Sequence, residues 1–112
     1  MSVKIRQDKN IILMTRSDTL ITTINILDAD GNVYEPAPTD KLRFSLKKDY
    51  NDKKVLIHKD IPIDTRILRI DSEDTANLDQ PETYVYDIEL TYGDNIRDTI
   101  ISGKLKILNE VE

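Results

Sequence analysis

Hydrophobic and polar residues alternate through most of the apolar segments of this chain. The longest such run is Thr83 to Tyr92, T-Y-V-Y-D-I-E-L-T-Y, where the even positions Tyr84, Tyr86, Ile88, Leu90 and Tyr92 are large and mostly apolar. Val85, Asp87, Glu89 and Thr91 lie between them. A strict period of two over this length predicts a strand with one face in a core and the other in water. Three of the five tyrosines fall on that one face, so the aromatic mass of the core is expected there.

Other segments follow the same period. Asn10 to Thr15 is a short apolar run, read as a first strand, and Arg16-Ser17-Asp18 supplies turn chemistry after it. Thr19 to Leu27 alternates, with Leu20, Thr22, Ile24 and Ile26 on one face. Asp28-Ala29-Asp30-Gly31-Asn32 is a turn by composition, since Gly and Asn tolerate positive φ. Pro36 and Pro38 make Val33 to Asp40 an extended connector, because proline cannot donate to a sheet ladder. Lys41 to Lys47 turns Leu42, Phe44 and Leu46 inward.

Lys48 to Lys53 reads as a polar loop around Tyr50, and Lys54 to Ile61 as an edge strand stopped by Pro62. Arg66 to Ile70 is a further strand with Leu68 and Ile70 as its core positions. The one helical segment is a single turn through Asp74-Thr75-Ala76, with Ser72 as its cap and Leu78 folded inward. Gly93-Asp94-Asn95 is a hairpin turn. Ile96 to Leu108 returns as the last strand, with Ile101, Gly103, Leu105 and Ile107 on one face and Ser102-Gly103 as the place for a bulge or a close backbone approach.

About seven short strands with turns at regular intervals predict an all-β, immunoglobulin-like antiparallel β-sandwich. A helical turn before the penultimate strand sits where such domains cross between sheets, and Tyr84 or Tyr86 is placed to bond backbone just upstream. At 112 residues the chain has room for a single domain, 1–112, with residues 1–9 as an N-terminal arm. With no cysteine or tryptophan, aliphatic burial at roughly 25 cal/mol per Å2 must hold the sandwich in place of a disulfide.

Charge and composition narrow the function. Asp and Glu number 21 against 16 Lys and Arg, a formal net charge of -5, which disfavours nucleic acid as a partner. The absence of cysteine removes thiol nucleophiles and thiolate zinc sites. The first ten residues lack an apolar h-region, and no apolar run spans a bilayer, so a soluble cytoplasmic product, or one exported without a cleaved signal, and no membrane partner are expected.

Candidate chemistry is thin. Asp28-x-Asp30-Gly31-Asn32 lacks the spaced acidic ligands, later glycine, distal glutamate and flanking helices of a calcium loop, and reads as a turn. His58 is the single histidine and reads as a strand-face residue. Ser45-Leu46-Lys47-Lys48 spells Ser-x-x-Lys without the companion motifs of that chemistry. Asp71, Glu73, Asp74, Asp79 and Glu82 read as solvated loop charge. Lys47, Lys48, Lys53 and Lys54 form a small basic patch that edge protection explains. No catalytic, metal or cofactor residue is assigned. The residues chosen for partner contact are Tyr34, Pro36, Pro38, Tyr50 and Lys53, on the expectation that both tyrosines are exposed.

One resemblance covers nearly the whole chain. It is carried by Arg16-Ser17-Asp18-Thr19, Asp28 to Asn32, Lys41 to Lys48, Val55 to Lys59, Gln80 to Leu90, and Ile101-Ser102-Gly103-Lys104-Leu105-Lys106-Ile107, in that order. These segments resemble the small immunoglobulin-like domains of tailed-phage structural proteins, especially the N-terminal domain of baseplate upper proteins in phages of Gram-positive hosts. The resemblance implies a non-enzymatic tail or baseplate component or adaptor of a phage or prophage. Its partners are then other tail proteins and copies of itself, and its place is the virion, assembled in the bacterial cytoplasm. A small carbohydrate-binding module, calcium-assisted or not, is the alternative.

The strand pattern generates a stability prediction. Tyr86→Ala should lower unfolding free energy by about 3 to 5 kcal/mol, the range for truncating a core aromatic. Urea denaturation measures it, and a loss under about 1 kcal/mol would mean that the strand's faces are reversed.

Overall fold

The computed structural model describes residues 3–4, 11–16, 18–28, 30–79 and 81–108. In chain order the elements are β1 (Val3–Lys4), β2 (Ile11–Thr15), β3 (Leu20–Thr23), β4 (Leu27–Asp28), β5 (Lys41–Lys47), β6 (Ile57–Ile61) and β7 (Ile67–Ile70). The helix α1 (Ser72–Thr75), β8 (Glu82–Tyr92) and β9 (Ile96–Leu108) complete it. One layer is a five-stranded sheet in the order β2-β9-β8-β5-β6, and the other holds the pair β3-β7, with β1-β4 as a two-residue ladder. The fold is an all-β sandwich with one short helix before the penultimate strand.

β8 occupies the middle of the larger sheet and pairs over most of its length with both β5 and β9. Its even face enters the core as the alternation predicts: Tyr84, Tyr86, Ile88 and Leu90 are all buried. Leu90, Ile88 and Tyr86 stand opposite Leu42, Phe44 and Leu46 of β5, and the Phe44 and Tyr86 rings meet at 5.5 Å between centroids. Gly103 lies opposite Tyr86 on β9, so no side chain competes with the ring at that register. From the second layer Ile24, Ile26, Leu68 and Ile70 close the same core.

The helical turn does the work expected at the sheet crossing. The Asp79 N–H donates to the Tyr84 hydroxyl at 2.9 Å, tying the connection to the start of β8. The Lys48 ammonium lies 5.1 Å from the centroid of the Tyr84 ring and also pairs with Glu82. On β6, Lys59 points inward opposite Phe44 and reaches Asp74 of α1 at 2.8 Å. An inward lysine on a sheet edge blunts that edge, and here it also bridges to the crossing.

Several local expectations are corrected. The cap of α1 is Asp71, not Ser72: the Asp71 N–H donates to the Asp74 carboxylate at 2.8 Å, a reciprocity that Ser72, one residue inside the helix, cannot make. The irregularity in β9 falls at Ile100, not at Ser102-Gly103, because Ile88 faces Ile101 while Glu89 faces Thr99. The extra residue lets both Ile100 and Ile101 be buried. β6 begins only at Ile57. The Thr19 to Leu27 strand is interrupted: the Ile24 N–H donates to Arg66 O at 2.7 Å and the Tyr34 N–H to Ile26 O at 2.9 Å, so loops replace the ladder there. Tyr92 is only half-buried, its hydroxyl donating to Asp98 at 2.9 Å. Within the expected arm, Val3–Lys4 pairs with β4, and the rest of residues 1–9 lies outside the described residues.

The pairing is also not wholly antiparallel. β2 runs parallel to β9, with Ile12 beside Leu105 and Met14 beside Ile107. The hairpin through Gly93 and Asn95, both at positive φ, sets the direction of β9 against β8. No short turn joins β2 to β9, so nothing local sets theirs.

Tyr84→Phe should cost about 1 to 2 kcal/mol by leaving the Asp79 N–H without its acceptor. Chemical denaturation of the two proteins measures this, and equal midpoints would show that the corner bond contributes nothing.

Candidate functional site

The outer face of the five-stranded sheet can be read directly from its register. At the end bearing the Gly93 hairpin, Lys41, Thr91 and Arg97 lie side by side on β5, β8 and β9. The next row is Asp60, Arg43, Glu89 and Thr99, followed by His58, Ser45, Asp87 and Ser102. Lys47, Val85, Lys104 and Ile11 come after them, and Thr83, Lys106 and Leu13 form the row beyond. Among the described residues, six cations stand on this face against three carboxylates. Among the described residues none of the six cations forms an ion pair.

The residues expected to contact a partner are split between the two ends of the sandwich. Tyr34, Pro36 and Pro38 lie in the connector before β5, whereas Tyr50 and Lys53 lie in the loop after it. The expectation of an exposed Tyr34 is corrected. Its ring is half-buried against the core, and its hydroxyl donates to Asp40 at 2.9 Å. Asp40 is buried and also accepts the Ala37 N–H at 2.9 Å. A carboxylate closing back on backbone three residues earlier thus shapes the proline connector. The Asp that follows Ala37-Pro38-Thr39 is the sequence signal for that turn, and reading the connector by its prolines alone passes over it.

Tyr50 is 53% exposed but not free. Its hydroxyl donates to Gly103 O at 3.2 Å and accepts the Ser102 hydroxyl at 3.2 Å, so the loop folds back over the outer face. Val85, on the polar face of β8, is buried there beside Tyr50, Ser45 and Lys47. Burial pushes the neighbouring Asp87 carboxyl above the ordinary carboxylate range. The Glu89 charge adds to this rise and Lys47 opposes it. Lys53 is exposed.

The row His58, Ser45, Asp87 brings together the residue types of a hydrolase triad in the wrong order. In a triad the histidine stands between nucleophile and acid, whereas here Ser45 stands between His58 and Asp87. Arg43 Nη2 lies 2.8 Å from His58 Nδ1. A guanidinium has only donors, so Nδ1 accepts, and the proton of the neutral ring is on Nε2. That leaves no ring lone pair to take a proton from Ser45. Among the described residues no group of three or more His, Asp or Glu side chains is placed to hold a metal ion, and no helix is long and apolar enough to cross a membrane.

A groove of about 590 Å3 opens at the hairpin end, walled by Lys41, Arg43, Asp60, Glu89, Tyr92 and Arg97. Both signs of charge line it, and Asp40 underlies its rim. Tyr92, Asp98, Tyr34 and Asp40 are committed to one another in hydroxyl–carboxylate pairs.

Compared with known proteins, the chain matches no family model, no curated relative and no solved structure.

Burial, then the hydrogen bond to Asp40 and its charge, push the Tyr34 phenol from 10.0 up to about 12. The folded state therefore favours the neutral phenol. Its contribution to stability is complete below pH 10 and is lost as pH rises from there through about 12. Urea midpoints should fall across that window and fall less steeply in Tyr34→Phe. The slope should not vanish, because burial moves the Tyr86 and Tyr92 phenols in the same direction. An identical slope in the variant would contradict the Tyr34–Asp40 bond.

Proposed function

We propose that this protein is a non-enzymatic structural component of a tailed phage or prophage, a tail or baseplate subunit or adaptor working through protein–protein assembly. The observation that carries this reading is the ordered set of strand and turn segments, covering nearly the whole chain, that resembles immunoglobulin-like phage tail domains. The sandwich fold supports it, since it is the architecture the resemblance implies. So does the chemistry of the outer face, whose His, Ser and Asp residues are out of triad order. Assembly proteins act through sheet faces and loops, and here a charged sheet face is exposed on either side of the Tyr50 loop that covers Val85.

Mass spectrometry of particles purified from the producing strain is the test. The protein should be present at a fixed ratio to other tail proteins and remain through high-salt washing and gradient centrifugation. Its absence from particles, together with no co-purification with any tail protein, would overturn the reading.

The hairpin-end groove favours a second reading, a small module for surface carbohydrate. Sugar sites are commonly walled by free aromatic faces, and the one aromatic in this groove is Tyr92, with its hydroxyl held by Asp98. A glycan array with and without calcium separates the two readings, and binding above background at this groove would favour the second.

A further inference from the structure

The two outer faces of the sandwich differ in charge, and each carries exposed aliphatic side chains. On the five-stranded sheet, Ile11 and Leu13 are 48% and 60% exposed, two positions apart on β2, beside Lys104 and Lys106 of β9. On the opposite layer Ile21 and Ile67 are 59% and 38% exposed. They are diagonal neighbours, since Thr23 stands opposite Ile67 and Ile21 opposite Arg69. Single exposed aliphatics are ordinary on protein surfaces, but here they come in adjacent pairs on both faces.

The charges around these pairs are of opposite sign. Lys41, Arg43, Lys47, Arg97, Lys104 and Lys106 stand on the first face without ion pairs among the described residues. Lysines commonly guard sheet edges. That does not explain Lys104 and Lys106, because β9 is an interior strand, covered on both sides by β2 and β8. On the second layer Arg69, opposite Ile21, pairs with Asp71 at 2.5 Å and Arg66 faces Glu35 at 3.9 Å. Asp18 before β3, Asp64 before β7 and Glu73 in α1 are exposed acids in the segments that flank these strands, and none forms an ion pair among the described residues.

We infer that copies of this chain associate head to tail, the cationic outer face of the five-stranded sheet of one docking on the acid-rimmed β3–β7 face of the next. A two-fold contact would oppose like to like, six cations to six or acids to acids, at a cost in repulsion. Front against back instead sets Lys104 and Lys106 against the rim of Asp18 and Glu73, and the Ile11–Leu13 pair against Ile21 and Ile67. Such a heterologous contact propagates, closing into a ring or continuing as a filament. This inference deepens the assembly reading above by naming its surfaces.

Light scattering on the purified full chain tests it. At about 20 mM salt, where charges are felt over roughly 20 Å, mass should rise with concentration above the 12.9 kDa of one chain. At about 0.5 M it should fall back toward one chain, as screening shortens that reach to a few Å. Lys104→Glu with Lys106→Glu should remain monomeric at low salt, as should Asp18→Lys with Glu73→Lys. An equimolar mixture of these two variants should associate again, because every face then meets its opposite. All four positions are at least partly exposed, and circular dichroism checks that each variant is folded. A monomeric wild type at low salt, association unaltered by either reversal, or a mixture that stays monomeric would each overturn the inference. A monomer found in purified particles would remove this contact but leave the virion reading standing. A self-associating chain absent from particles would do the reverse.

Discussion

Burial of the even-numbered face of β8 is the constraint on which the rest of this protein depends. Tyr84, Tyr86, Ile88 and Leu90 cannot leave the core without exposing the whole face, because a one-residue slip of a strand exchanges its two sides. The register against β5 and β9 then places every outward residue of the larger sheet. The position of each lysine on the outer face is thus a consequence of where the tyrosines are buried. The hydroxyl of Tyr84 adds a second consequence by holding the crossing from the other layer through Asp79.

The polar groups inside this frame are used structurally. Asp40 is buried but bonds Tyr34 and the Ala37 N–H, so its charge shapes the connector before β5. Lys59 points inward at an edge and meets Asp74, which also closes the cap of α1. Arg66 lies at φ 56, unusual for a non-glycine residue, and its carbonyl takes the Ile24 N–H that the broken strand leaves over. The six cations on the outer face of the larger sheet form no ion pair among the described residues, and recognition by another protein surface would act there.

Much of this was legible from the chain. A period of two survives wherever one face of a strand is buried, and it marked β5, β8, β9 and the inward set Ile24, Ile26, Leu68 and Ile70. The Gly93-Asp94-Asn95 turn was legible because positive φ is a local demand that Gly and Asn meet. The Tyr84 corner was legible as one of two candidates, since only geometry could choose between Tyr84 and Tyr86. The burial of Tyr34 is not legible, because a tyrosine in a proline connector looks exposed until its hydroxyl has an acceptor, here Asp40. The bulge at Ile100 is not legible, because two buried isoleucines in a row carry no glycine to mark it.

The sequence by itself therefore determined most of the longer strands, the faces that β5, β7, β8 and β9 bury and the all-β class, because these follow from side-chain period and turn chemistry within a few residues. Tertiary structure alone decided the parallel docking of β2 on β9, since those strands are separated by most of the chain and no local turn sets their direction. It likewise decided that scattered lysines and arginines from β5 and β9 share one face, where they form no ion pair among the described residues. Charge along a chain is a property of residues, whereas a charged surface is a property of register.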